Sequence, residues 1–270
     1  MAFATIDTNM LGLIGANGEF DIYHGGLRAR DAHGDTIFDH VDYIRYSDYL
    51  REGVKNWSYM KFPFIEALGE DAGWYRVGPL ARVNNCDHFS TPLAEEQRKL
   101  FKEAGHGRPV QASLAFHWAR LIELLYCAEA IRELLLDPDL GGTDLLNKGE
   151  LQDTGIGVIE APRGTLFHHY EIDDDGIVNK ANLIVSTTNN NQAMNESIRQ
   201  VAGMYLDGKQ LTEPLLNQIE VAIRAYDPCL SCATHAMGKM PLEVVLVNEQ
   251  NEVVDRLEKR INGDIQRTYP

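Results

Sequence analysis

Asp227-Pro228-Cys229-Leu230-Ser231-Cys232-Ala233-Thr234-His235 places two thiols and an imidazole within nine residues. Cysteines at this C-x-x-C-x-x-H spacing can reach a single cation. Thiolates select soft or borderline metals such as iron, nickel, copper and zinc over magnesium or calcium. Neutral thiols bind metals poorly, so both cysteines must ionise, and a bound cation itself promotes that ionisation. The spacing alone also suits half a zinc site or a redox pair.

The other two cysteines lie far apart in sequence. Cys86 sits in Asn84-Asn85-Cys86-Asp87-His88 and Cys127 in an apolar helical stretch. Free cysteine of this kind packs as a small hydrophobe, and both are read that way. His168 and His169 follow a strand, His24, His33, His40 and His106 sit in polar loops, and His117 precedes Trp118 on a helix. These are read as solvated or hydrogen-bonded histidines.

Several elements must position the cysteine loop. Leu11–Ile14 and Glu19–Tyr23 flank Ala16-Asn17-Gly18, and Asn-Gly predicts a tight hairpin turn. A third strand is expected at Leu27–Arg30, and residues 40–67 mix helical spacing with aromatic residues up to Pro63. Thr91 ahead of Pro92, with Glu95 and Glu96 in the first turn, marks a helix start. The longest helix is predicted over 111–136, with Leu114, Trp118, Leu121, Leu125, Ala128 and Leu135 at three- and four-residue spacing. Asp137-Pro138 ends it. Val158 to Val185 reads as β around Asp173-Asp174-Asp175-Gly176, and helices over 193–206 and 213–225 lead into the cysteine loop. Pro228 stops further helix, so the loop presents both sulfurs to one point. A strand over 240–247 and an apolar pair Val253-Val254 follow.

Composition narrows the function classes. With 44% hydrophobic and 24% charged residues, the chain has the make-up of an ordinary globular protein. Its net charge of −15 excludes nucleic-acid binding driven by phosphate attraction. No apolar run approaches the roughly 18 residues that would read as a transmembrane helix, so no membrane span is expected. The N-terminus has no basic-then-apolar signal, and the cysteines form no disulfide framework; a cytoplasmic location is expected.

The nonapeptide resembles the C-terminal nickel-binding signature D-P-C-x-x-C-x-x-H of [NiFe] hydrogenase large (alpha) subunits, its wording being nearest the NAD-reducing, bidirectional type. The resemblance extends upstream. Gly155–Thr165 is similar to the family's E-A-P-R-G segment, and Leu183–Asn189 to the segment contacting the iron's diatomic ligands. Trp57–Pro63 and Tyr75–Arg82 are similar to blocks of the same subunits. The family also carries an N-terminal R-x-C-G-x-C-x-x-H motif, which this sequence lacks. The chain thus looks like the C-terminal portion of a large subunit.

That resemblance implies an α+β, helix-rich fold: a long-helix bundle with small antiparallel β-sheets. It divides the chain into an α+β segment (1–86), a helical bundle segment (87–140), a β-region with helices carrying the metal loop (141–235), and an extension removed on maturation (236–270). Cys229 would be a terminal nickel ligand and Cys232 a bridge between nickel and iron, the centre also carrying CN and CO. His235 and the backbone carbonyl of Leu183 would bind a magnesium ion, with a glutamate from the N-terminal part. Arg163 would stabilise the anionic ligands and favour charge separation in H2; Pro162 would shape the pocket wall, and Ser186 and Thr187 would donate to cyanide. The family often has proline where Ser186 stands. Cleavage between His235 and Ala236 would follow nickel insertion.

The implied activity is reversible H2 oxidation to protons and electrons, with Cys229 as proton acceptor. The implied partners are a small subunit with an Fe–S cluster, diaphorase subunits carrying FMN and NAD, a maturation endopeptidase and nickel-insertion proteins. Two other readings stay open: a non-catalytic truncated subunit that docks a hydrogenase small subunit, and a zinc-binding structural domain built on Cys229, Cys232 and His235.

Overall fold

Strand β1, Asn9–Ile14, is apolar on both faces and buried along its whole length. Such a run belongs in the middle of a sheet covered on both sides. In the computed structural model, which describes residues 3–206, 208, 210–230, 242–260 and 262–268, β1 pairs antiparallel with β2, Gly26–Arg30, through Met10–Arg30 and Ile14–Gly26. Strand β3, Thr36–Val41, lies beyond β2.

The expected hairpin partner at Glu19–Tyr23 is therefore replaced by β2. The Ala16-Asn17-Gly18 turn does form, with the Gly18 amide donating to the Gly15 carbonyl at 3.0 Å and Gly18 at φ +83°. The chain then leaves the sheet because Phe20 is drawn elsewhere: its ring stacks on Phe89 at 4.4 Å and meets Tyr126 edge-on at 4.7 Å. It returns through Gly25 at φ +118°, where a Cβ would meet the Ile14 carbonyl oxygen at 2.0 Å.

Residues 40–67 also depart from expectation. After a 3-10 turn over Tyr43–Asp48 they form a hairpin of β4, Leu50–Lys55, and β5, Ser58–Ile65. Pro63 is tolerated because the two-stranded ribbon leaves one edge of each strand unpaired. A short helix α1, Gly69–Ala72, leads to β6, Tyr75–Arg76, which adds in parallel to β1.

Three helices follow: α2, Pro79–Asn85, α3, Pro92–Ala104, and α4, Ala115–Leu134. Thr91 occupies the N-cap of α3 but makes no side-chain cap bond. Glu129 of α4 caps it instead, accepting from the Leu93 and Ala94 amides at 3.0 Å each. The face of α4 that packs is also not the expected one. Phe116, Ala119, Ile122 and Glu123 are buried, while Leu121 and Leu135 are 63% and 65% exposed.

Strands β7, Thr154–Ala161, β8, Gly164–Ile172, and β9, Val178–Ile184, form an antiparallel meander around the expected Asp173–Gly176 turn. The one-turn helix α5, Ser186–Asn189, then α6, Asn191–Tyr205, and α7, Glu213–Ala225, complete the frame of the cysteine loop. The tail is more than one strand. β10, Leu242–Val247, β11, Val253–Lys259, and β12, Ile265–Thr268, form their own sheet. Leu257 anchors it beside Leu215, Leu216 and Ile219 of α7. Helices combined with small, mostly antiparallel sheets give the expected α+β class.

Candidate metal centre

Helix α7 aims the cysteine loop. Thr212 caps it by accepting from the Leu215 amide, and Pro214 stands in its first turn. At its far end Tyr226 is locked in the core, its hydroxyl 2.7 Å from Ser197 Oγ and 3.3 Å from Ser113 Oγ, its ring 4.9 Å from Phe116. Asp227 then takes φ +50°, a left-handed conformation that aspartate tolerates better than most residues. The chain turns sharply there, and the Cys229 amide donates to Thr187 Oγ1 at 3.1 Å.

Arg163 reaches this loop from the β7–β8 turn. Its Nε donates to the Asp227 carbonyl at 2.6 Å and lies 3.2 Å from Asp227 Oδ2. Both side chains are about half exposed, at 41% and 50%, so the backbone bond defines the geometry more than the ion pair does.

The turn that presents Arg163 is held from beneath by Arg82. This guanidinium, buried on α2, donates to both oxygens of Glu123 at 2.7 Å, to Glu160 Oε2 at 2.8 Å, and to the carbonyls of Ala161 at 2.8 Å and Pro162 at 3.3 Å. Burial pulls its pKa down, but the Glu123 and Glu160 carboxylates outweigh burial and hold it above its ordinary value. Glu160 Oε1 accepts from the Leu13 amide and from Thr165 Oγ1, tying the turn to β1. Two glycines permit the close approach. A Cβ on Gly78 (φ +91°) would meet the Arg163 carbonyl oxygen at 2.7 Å, and one on Gly164 (φ +136°) would meet Val77 Cγ2 at 2.2 Å.

Ser186 Oγ donates to the Gly164 carbonyl at 2.7 Å, and its neighbour Thr187 receives the Cys229 amide. Arg163, Ser186, Thr187, Asp227 and Cys229 are thus gathered by direct bonds around one turn. Pro162 and Asp227 border one cavity of about 460 Å³, with Glu123, Leu124 and Cys127 on its far wall. Leu183 lies on β9 just before this cluster, in a separate cleft with Glu52, Tyr59 and Thr188. Cys232, His235 and Ala236 lie outside the described residues.

Sequence reasoning gave Asp227 only as the first residue of the nonapeptide and did not single out Arg82, Glu123, Glu160 or Tyr226 as neighbours of this cluster. Glu123 did carry a signal: it falls on the helical face of Phe116, Ala119 and Ile122, where a carboxylate needs a buried partner. Cys86 is buried, and burial pushes its thiol up to about 12; Cys127 is shifted upward for the same reason. Among the histidines, His168 Nδ1 bonds the Tyr170 hydroxyl and His169 Nδ1 the Tyr46 hydroxyl.

A profile of the nickel-dependent hydrogenases matches residues 22–235. The chain belongs to this family. It is 46% identical over 260 residues to the β subunit of the NAD-reducing hydrogenase HoxS of Cupriavidus necator, a match covering 94% of this chain and 53% of that protein. It is 42% identical to a component of the vhc F420-non-reducing hydrogenase of Methanococcus voltae, over 86% of this chain and 49% of the relative. The fold matches a crystal structure of NAD+-reducing [NiFe]-hydrogenase in the H2-reduced state with a TM-score of 0.82 and 51% identity, covering 86% of this chain and 51% of that one. The Ni-Fe-Se hydrogenase of Desulfovibrio vulgaris Hildenborough shares the fold at a TM-score of 0.60 and 18% identity, over 86% of this chain and 54% of that one. The chain spans about half the length of these relatives. Among its described residues no helix is long and apolar enough to cross a membrane.

Proposed function

We propose that this chain is the metal-loop half of a [NiFe] hydrogenase large subunit that oxidises H2 reversibly and passes the electrons, through partner subunits, to NAD. The observation that carries the reading is the Arg163–Asp227–Cys229 arrangement. A guanidinium is fixed on the Asp227 backbone, two residues before a cysteine whose own amide is anchored on Thr187.

Cys229 is disulfide-bonded in this structure; once that bond is reduced, the donor set fits a soft, thiolate-bound centre of which this chain supplies one side. Cys229 and Cys232 would hold the metals, and the chain offers no second C-x-x-C pair. A nickel–iron centre carrying CN and CO would supply the site for H2 cleavage. The chain's own residues would do the rest. Arg163, permanently charged, offers donors toward anionic ligands and developing charge. Thr187, already accepting from the Cys229 amide, keeps its hydroxyl hydrogen available to donate, whereas Ser186 spends its hydrogen on Gly164. Pro162 walls the cavity. Cys229 accepts the proton. Leu183 through its carbonyl and His235 through its imidazole would take a magnesium ion.

The partners implied are a small subunit with an Fe–S cluster, diaphorase subunits with FMN and NAD, an endopeptidase cutting between His235 and Ala236, and nickel-insertion proteins. Two observations support this assembly: the identity to a HoxS subunit and the end of the family match at residue 235. A cytoplasmic complex is the location this reading implies.

A second reading has the chain dock a small subunit without a nickel–iron centre. Elemental analysis of the chain in its native complex separates them. Nickel with iron supports the enzyme, zinc alone a structural site, and absence of metal the docking module.

A further inference from the structure

A cleft of about 300 Å³ opens where the C-terminal ends of α2 and α3 meet the β2–β3 turn. The chain as a whole carries a net charge of −15, yet this cleft is lined by Arg30, His33, Lys102 and Arg108, with Asp35 as its one carboxylate. A concave site lined mainly by one sign of charge concentrates counter-ions. Arg30 shares Asp87 with Arg28, whereas Lys102 and Arg108 form no ion pair among the described residues.

The walls are fixed. On one side Asp31 Oδ1 accepts from the His33 amide at 2.8 Å and the Asp35 amide at 2.9 Å, with Gly34 at φ +97° closing the turn. On the other, the Gly105 amide donates to the Lys102 carbonyl at 3.0 Å and the Arg108 amide to the Gly105 carbonyl at 3.1 Å, with Gly107 at φ +87°. Asn84 forms the floor: its side chain both donates to and accepts from the Val110 backbone at 3.0 Å.

Donors remain unspent on this frame. Lys102 Nζ gives one hydrogen to the Asn84 carbonyl at 2.7 Å, which leaves two of an ammonium's three. Arg30 binds Asp87 through Nη2, while its Nε is buried with no hydrogen-bond partner. A buried donor left unmet costs free energy that a bound acceptor would restore. Burial, joined by the like charges of Arg30 and Arg98, lowers Lys102 to about 8, so an anion here would relieve the ammonium as well.

We infer that this cleft binds a phosphoryl group, with Arg30, Lys102 and Arg108 as its donors. Those donors come from β2, from α3 and from the turn after it, and so approach from several directions. That suits the tetrahedral oxygens of a phosphate, whereas a planar carboxylate is served by a single guanidinium fork. Asp35 opposes the bound charge and limits the affinity. The group comes either as free phosphate or as the head of a small phosphate ester, for which a cleft of this size leaves room.

The test is amide hydrogen exchange of this chain in its native complex, read over residues 31–36 and 102–109. Inorganic phosphate and ribose 5-phosphate are the probes, and sodium chloride at equal ionic strength is the blank. The expected result is protection of both segments, half-maximal at about 1 mM or below, as a few charge-assisted bonds give after the cost of association. Arg108→Gln, at an exposed side chain, should raise that concentration about tenfold. Asp35→Asn should lower it. Ribose 5-phosphate acting at lower concentration than phosphate assigns an ester, the reverse assigns the free ion, and both uphold the site. Protection no greater than in chloride, no change in Arg108→Gln, or weaker binding in Asp35→Asn would each overturn the inference.

Discussion

Arg163 Nε lies 2.6 Å from the carbonyl oxygen of Asp227, the residue at which the chain turns out of α7 toward Cys229. The contact fixes the guanidinium by backbone rather than by charge, so its orientation survives salt that would screen a half-exposed ion pair. Substitution with lysine keeps the charge and loses the fork of donors. Arg163→Lys should keep metal content and slow H2 turnover by roughly 10²-fold or more, by analogy with removing one preorganised donor. Turnover in a reconstituted complex is the measurement, and an unchanged rate would refute the electrostatic role.

Arg82 should matter more for folding than for chemistry. Its removal strands two carboxylates, Glu123 and Glu160, both nearly inaccessible. Breaking a buried pair in this way costs about 3–5 kcal/mol. Denaturant unfolding of Arg82→Ala should show that loss, with Arg82→Ala/Glu123→Gln/Glu160→Gln recovering part of it. A single-variant change below about 1 kcal/mol, within the range of an exposed ion pair, would contradict the clamp.

Lys102 predicts a pH dependence. Burial, its largest cause, lowers the ammonium to about 8 from an ordinary 10.5, and its Nζ donates to the Asn84 carbonyl at 2.7 Å. A lysine depressed in the fold binds fewer protons folded than unfolded between those values. Folding stability should therefore rise as pH increases from about 8 to 10.5, by about 1–3 kcal/mol. Comparing denaturation curves of wild type and Lys102→Met across that range isolates the effect; parallel curves would remove it.

Much of this architecture was legible in the sequence, and the misreadings share a cause. Helix α7 matched its predicted limits because Thr212, Pro214 and the turn at Asp227 punctuate it. The β7–β9 meander was marked by its Asp-rich turn. What failed depended on distant partners. Phe20 left its expected strand for Phe89 and Tyr126, and Thr91 lost its capping role to Glu129 on the next long helix. The wrong face of α4 was chosen because the helix carries two apolar stripes, and periodicity cannot say which is covered. At the site, Arg163, Thr187 and Cys229 were identifiable as residue types in their segments. The Arg82 clamp was not, because its carboxylates lie 41 and 78 positions away.

The tail carries its own prediction. Among the described residues, β10, β11 and β12 pair with no strand of another sheet; they form a separate meander anchored by Leu257, with Asp255 accepting from the Leu211 amide at 2.8 Å. Such a unit can be shed without opening another sheet. Mature chain from the native complex should end at His235, lacking 35 residues. Intact-mass measurement decides it, and active complex still containing Pro270 would show that the tail is retained.

Cys232→Ser should abolish assembly of a nickel–iron pair, because a hydroxyl is too weakly acidic to bridge two metals as an anion. Metal analysis showing both metals retained would remove Cys232 from the bridging position.

The most direct test of the account is nickel-edge X-ray absorption on the chain in its native complex. The account predicts sulfur atoms bonded directly to nickel, with that sulfur signal reduced in Cys229→Ser. Nickel bound by nitrogen and oxygen alone, or an absorption spectrum unchanged by Cys229→Ser, would contradict it.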